Sequence, residues 1–432
     1  MTGLSFVALL SIGTPVAFVL LASTFVFIFM SGNVAVLNAI PQILFSGLEV
    51  FDLLAIPLFI LLGELMNSGG ITTRLIDAAK LLLSRLPHAL AFVCLTANLM
   101  LASIMGSATA QIAIMAQVMV PEMERDGYER GFSAALTAAA GMLGPVIPPS
   151  MIFIIFGVVA QVSVADMFVA GILPGILLFA ALVAMIAIRA PQQGETRRDA
   201  ASGSGAAEGE AAEAATNPAR VITGAIAGLS IPLVIVIGIS FGIVTPTESA
   251  ALAAGIAVLL GVFTYRNLNW RHVSGILNRT ALNSALVLFL IAAAKVFGWL
   301  LTYAHVPQSL AALLQEMTGN ATVFLLLVFL LSLLVGAFLD GIAALIIMAP
   351  ILLPIATSTY GIDPIQFGIV LCMTLTIGLL TPPVGTGLYI AASVAKVRFL
   401  HLAKEILPFV LLTMFVVMLV AIFPGLTFLL RG

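Results

Sequence analysis

GPVIPPS, Gly144 to Ser150, and GLLTPPVG, Gly378 to Gly385, each set two consecutive prolines among glycines inside an apolar run long enough to cross a bilayer. Proline has no backbone N–H, and it bars the residue before it from helical geometry. Each run therefore reads as two half-helices around an unwound turn. In hydrocarbon such a break survives only where protein or a polar cavity satisfies the freed backbone groups. Two breaks of this kind point to a site inside the membrane.

The composition agrees with that setting. Of 432 residues, 62% are apolar and 8% are charged, against roughly 25% charged in soluble domains. The chain is an all-α polytopic membrane protein surrounded by lipid bilayer, and nothing in it suggests nucleic acid as a partner. Cys94 and Cys372 lie far apart in apolar runs and read as packing residues. No HExxH or GxGD motif occurs, and the four histidines fall at membrane edges or in loops, so the chain is not expected to be an enzyme.

Spans are expected at about 4–30, with a kink at Gly13-Thr14-Pro15, and at 53–67, ending at Asn67-Ser68-Gly69-Gly70. An amphipathic interface helix follows at 71–86. Residues 88–121 are apolar but interrupted at SIMGSAT, 103–109. One helix of that length would measure about 50 Å, beyond a hydrocarbon core of about 30 Å, so a re-entrant hairpin is expected. The broken span at 131–160 and a span at 167–190 complete the first half. Residues 191–219 carry no bulky apolar side chain and read as a disordered linker. Spans at 221–243 and 247–264, separated by TPTE (245–248), lead to an amphipathic stretch at 270–279 and a span at 280–304. A second interrupted run, 321–355, breaks at GAFLDG, 336–341, before the second broken span at 365–395 and a last one at 404–430.

This order occurs twice. Gly106 precedes Pro148 by 42 residues (148 − 106), and Asp340 precedes Pro382 by 42 (382 − 340). A shift of 234 residues carries Gly144 onto Gly378 and Pro149 onto Pro383. If both interrupted runs are hairpins, the loop basic residues from Arg74 to Lys404 fall on one side, and segments 31–52, 161–166, 244–247, 305–320 and 357–364, on the other, hold none. The positive-inside rule makes the first side cytoplasmic, with the N-terminus there and the C-terminus periplasmic. The repeats are then inverted, as in secondary transporters built on discontinuous helices. The expected organisation is 1–87 first scaffold spans and interface arm; 88–190 first transport elements; 191–219 linker; 220–320 connecting span and second scaffold with arm; and 321–432 second transport elements.

Unwound carbonyls and helix C-terminal ends suit Na⁺. In the first half the candidates are Gly106, Ser107, Thr109, Gly144, Pro148 and Ser150; in the second, Asp340, Gly341, Thr381, Pro382, Gly385 and Thr386. Ser107, Ala108, Pro149 and Thr386 are the candidates for contact with substrate. Asp340 is the sharpest signal, because a carboxylate deep in a bilayer costs about 2.5 to 3.5 kcal/mol on insertion scales. It either ligates a cation or caps a hairpin helix. Lys295, within a span, has three readings: pairing with an anion or an acidic neighbour such as Glu64, snorkelling, or facing a partner subunit. Glu248 reads as a helix cap and Asn98 as a structural hydrogen-bonding residue.

IPLFILLGELMNSGG (56–70), GSATA (106–110), GPVIPPS, TPTE and GLLTPPVG together resemble the large membrane subunit of TRAP transporters, the tripartite ATP-independent periplasmic transporters. The resemblance spans nearly the whole chain. It implies a Na⁺-coupled importer of small organic anions in the bacterial inner membrane, working by an elevator motion. It also implies two partners, a periplasmic substrate-binding protein and a separate small membrane subunit. The usual GSS of the first tip is GSA here, so Ala108 offers only backbone. A stand-alone sodium/dicarboxylate symporter or an ion antiporter of similar architecture is the competing reading.

Overall fold

The computed structural model describes residues 2–32, 34–105, 107–194, 218–268, 270–382 and 384–429. Among these there is no strand, and eight helical segments are long and apolar enough to cross a membrane. The first expected span is two helices rather than one kinked helix. Helix α1, Thr2–Ser11, stops at Gly13 (φ +82°), where Gly13 N–H donates to Leu10 O and Thr14 N–H to Leu9 O. Pro15 then precedes α2, Val16–Ser31, at a position where a missing N–H costs nothing. Between α2 and α4, Ala55–Ser68, the chain adds a short helix, α3, Ile40–Ser46. Gly70, left-handed at φ +76°, ends the Asn67–Gly70 stop and opens the amphipathic α5, Ile71–Leu83.

Both interrupted runs are helix pairs. Helices α6, Ala89–Met105, and α7, Ala108–Arg125, pack on one another. The first broken span is α8, Arg130–Gly141, one turn α9, Leu143–Val146, an extended stretch, and α10, Met151–Ala160. Helix α11, Val164–Gly194, runs into the stretch read as linker, and α12, Pro218–Ser240, begins before that stretch ends; residues 195–217 lie outside the described residues. Helix α13, Pro246–Leu259, starts with the capping box expected of TPTE: Thr245 N–H donates to Glu248 Oε2 at 2.8 Å while Thr245 Oγ1 accepts from Glu248 N–H.

Residues 270–304 depart from expectation. They form one helix, α14, Trp270–Tyr303, because no proline or terminal glycine separates the amphipathic stretch from the span. The true counterpart of α5 is α15, Val306–Met317. The second hairpin follows as α16, Ala321–Phe338, and α17, Gly341–Ser358. The second broken span is α18, Pro364–Gly378, and α19, Thr386–Ala395, followed by α20, Phe399–Ile422, and a last turn, α21, Gly425–Phe428. From α5 to α10, each long helix starts 232 to 235 residues before its second-half partner, the extremes being Ala89 to Ala321 and Met151 to Thr386. Even the left-handed residues repeat: Gly70 and His305 open the arm helices, and Gln161 and Lys396 close the half-helices.

Two bundles result. Helix α4 packs on α13 and α14, α14 on α2, and α12 on α5 and α13. In the other bundle each hairpin grips the first half of its own broken span, α7 on α8 and α16 on α18. Each then meets the second half of the opposite one, α19 on α7 and α10 on α17. The contact of α16 with α18 is backbone on backbone: a Cβ on Gly378 would stand 2.7 Å from Gly336 Cα. Outside the apolar interior, Arg130 ties the halves together, donating to Ala395 O at 2.6 Å while pairing with Glu124 at 2.8 Å.

Candidate functional site

Two prolines in succession free two carbonyls. In a continuous helix Gly144 O and Pro145 O would receive the N–H groups of residues 148 and 149, and both of those are proline. Pro145 O is taken instead by the hydroxyl of fully buried Ser150. Gly144 O has no such replacement among the described residues, and Gly144 is pressed against Gln111, whose Oε1 would lie 2.3 Å from a Cβ at that position. At the second break, Gly385 (φ +48°) donates its N–H to Ala337 O at 2.9 Å, stitching the unwound turn to the end of α16. Thr381 N–H donates to Gly378 O and its hydroxyl to Ile377 O, both at 3.0 Å. The buried hydroxyl oxygen of Thr386 has no hydrogen-bond partner among the described residues.

The hairpin tips are helix starts. Ser107 caps α7, its Oγ 3.5 Å from Ala110 N and 3.0 Å from Thr109 Oγ1. Asp340 caps α17, with Oδ2 accepting from Ile342 N–H at 3.1 Å. Gly341 follows it and faces Ile152 of α10. Gly106 and Pro383 lie outside the described residues.

Two of the named substrate candidates, Ser107 and Pro149, line one cavity of about 410 Å³ between the two bundles. Ala108 is buried, and neither it nor Thr386 is in the cavity wall. The opposite wall comes from α4, through Phe59, Glu64 and Asn67, and from α14, through Asn283 and Leu286. These residues were missed in the sequence. The available signal was a pair of amides, Asn67 and Asn283, at the edges of apolar spans. Glu64 is paired with Arg279 at 2.8 Å, not with Lys295. The Lys295 side chain is exposed, with its stem against Gly47, because its helix turns it away from α4.

Gln111 is the other missed residue. It is fully buried, and its Nε2 donates to Asn98 O at 2.7 Å and to Asn98 Oδ1 at 3.0 Å. Asn98 in turn donates to Cys94 O at 2.8 Å, the structural role expected of it. Cys94 and Cys372 are buried and unpaired. The amide chain locks the two arms of the first hairpin together beside the first break. Gln111→Leu should lower stability by about 1–3 kcal/mol by leaving the Asn98 acceptors unpaired in a dry interior. Thermal unfolding of the purified variant measures it.

An all-helical membrane fold with duplicated hairpins and broken spans, and a cavity between two bundles, is the architecture of a solute transporter. The chain belongs to the family described as tripartite ATP-independent periplasmic transporter, DctM component, whose sequence model matches residues 4–426. It is 35% identical to the sialic acid TRAP transporter large permease protein SiaM of Vibrio cholerae, over 98% of this chain and 96% of that protein. It is 31% identical to the C4-dicarboxylate TRAP transporter large permease protein DctM of Rhodobacter capsulatus, over 98% and 96% of the two chains. Against the isethionate TRAP transporter permease protein DctMQ of Oleidesulfovibrio alaskensis it is 34% identical, over 99% of this chain but 65% of that one. Among solved structures, the YdaH transporter of Alcanivorax borkumensis shares the fold at TM-score 0.66 and 17% identity, covering 95% of this chain and 97% of that one. The relatives are named as transporter permeases, not enzymes.

Proposed function

We propose that this chain is the large permease subunit of a Na⁺-coupled importer of small organic anions in the bacterial inner membrane. A periplasmic substrate-binding protein delivers the anion, and a separate small membrane subunit completes the transporter. The observation that carries the reading is the interleaving of the two breaks with the opposite hairpins, which puts freed carbonyls, two helix starts and the cavity wall into one unit. Na⁺ is held at the tips and breaks by the candidates from Ser107 to Thr386 named above. That unit, α6–α10 with α16–α19, moves as one body against the bundle of α2, α4, α13 and α14, carrying the cargo across. The basic loops support a cytoplasmic N-terminus and a periplasmic C-terminus.

The relatives' names supply the cargo class: sialic acid, a C4-dicarboxylate and isethionate are all organic anions. The longer DctMQ chain, of which this one covers 65%, has room for a second subunit in the same polypeptide. The test is uptake into proteoliposomes under an inward Na⁺ gradient. Uptake should require the cognate binding protein and the small subunit together with this chain, and should stop when Na⁺ is replaced by K⁺. Uptake by the chain alone would favour a stand-alone symporter.

A further inference from the structure

The cavity wall poses an electrostatic problem. Its one charged lining residue among those described is Glu64, the same sign as an organic anion. An uncompensated carboxylate there would repel the cargo. Arg279 compensates it across the helix pair, its Nε 2.8 Å from Glu64 Oε2. Only that edge of the guanidinium is engaged. Its two terminal nitrogens donate to no acceptor among the described residues, and the side chain is 54% exposed. A planar guanidinium with free donors is a fork for a second oxyanion.

The neighbours fit the same use. Asn67 follows Glu64 by three residues on α4, and Asn283 follows Arg279 by four on α14, so each amide shares a helix face with one partner of the ion pair. Both amides line the cavity, and Ser107 stands on the opposite wall. We propose that Arg279, docked on Glu64, is the group that receives the carboxylate or sulfonate of the cargo, with Asn67 and Asn283 bonding its uncharged polar part. This rests on the organic-anion reading above. Glu64 has a second effect: by sharing the guanidinium it weakens the attraction, so the anion is held loosely enough to leave. A purely structural ion pair would pin α4 to α14 and do nothing else, and protection of the cavity by an anion would then not depend on Arg279.

The test reads the cavity's charge without needing the natural cargo. In the assembled transporter, Leu286→Cys, in the cavity wall but outside the proposed contacts, is labelled with a sulfonate-bearing and with a trimethylammonium-bearing methanethiosulfonate, and the ratio of the two rates is taken. Cys94 and Cys372 are 0% and 1% exposed, so the parent chain gives the blank. Arg279→Gln should lower the anionic-to-cationic ratio roughly tenfold, Glu64→Gln should raise it, and Arg279→Lys should restore it. Millimolar isethionate and succinate should slow labelling in the reporter-cysteine protein and in its Glu64→Gln derivative but not in its Arg279→Gln derivative. The proposal is overturned if the two Gln variants shift the ratio in the same direction or not at all, or if protection by these anions survives the loss of Arg279. Failure of uptake for every anion tried would instead strike the transport reading, leaving the labelling ratio intact.

Discussion

Gly378→Val is expected to abolish uptake in the Na⁺-gradient assay and to lower the unfolding temperature of the purified protein, while Gly255→Val should change neither. The first half of the second broken span, α18, lies against α16 with backbone directly on backbone where Gly378 meets Gly336. A Cβ on Gly378 would meet Gly336 C and Cα at 2.7 Å and Ala337 N at 3.1 Å. All three are backbone atoms, so no rotamer change relieves the clash. Bringing backbones this close is what small residues do in membrane bundles, where dispersion and packing carry helix association. Alanine at this position should already cost about 1–3 kcal/mol, the usual range for overpacking, and valine more. Gly255 is the control, since a Cβ there meets nothing within 4 Å. A Gly378→Val protein of unchanged stability and uptake would mean that α16 and α18 do not move as a unit.

The second large effect separates two roles of Asp340. The carboxylate caps α17 through the Ile342 N–H, and it is also the one acidic candidate for the Na⁺ site. Asparagine keeps the cap and removes the charge; alanine removes both. Asp340→Asn should therefore leave thermal stability nearly unchanged and raise the Na⁺ concentration for half-maximal uptake about tenfold, equivalent to roughly 1.4 kcal/mol. Asp340→Ala should show the same Na⁺ shift and in addition lose about 1 kcal/mol of stability with the cap. An Asn variant with the parental Na⁺ curve removes Asp340 from the site and leaves it as a cap alone.

Much of the architecture was legible because its signals are local. The double prolines, Asn67–Gly70 and the Thr245–Glu248 box each act through the N–H groups of residues a few positions away. The pattern failed where a boundary depended on the absence of a stop. Residues 270–279 and 280–304 have different amphipathicity, yet nothing between them ends a helix, so they form one rod of 34 residues. Conversely, Gly13 and Pro15 together terminate a helix, where a kink was expected, because the left-handed glycine also satisfies the last carbonyls. The arm helix of the second half was missed because α15 was read as part of a loop without basic residues.

The candidate site divides in the same way. Ser107 and Pro149 came from the tip and break motifs and do line the cavity. Glu64 and Asn67 lie inside the IPLFILLGELMNSGG motif but were not read as site residues, and Arg279 and Asn283 came from no motif, since each sits singly on a span where polar residues are ordinarily read as edges. The double prolines by themselves determine that two helices unwind and which carbonyls lose their donors, because a missing N–H acts within four residues. Which hairpin each break faces, that Gln111 fills the space Gly144 leaves, and that Arg279 reaches Glu64 across 215 residues were decided by tertiary structure alone. Such contacts form only when packing of the whole bundle brings distant faces together, and no local pattern encodes that pairing.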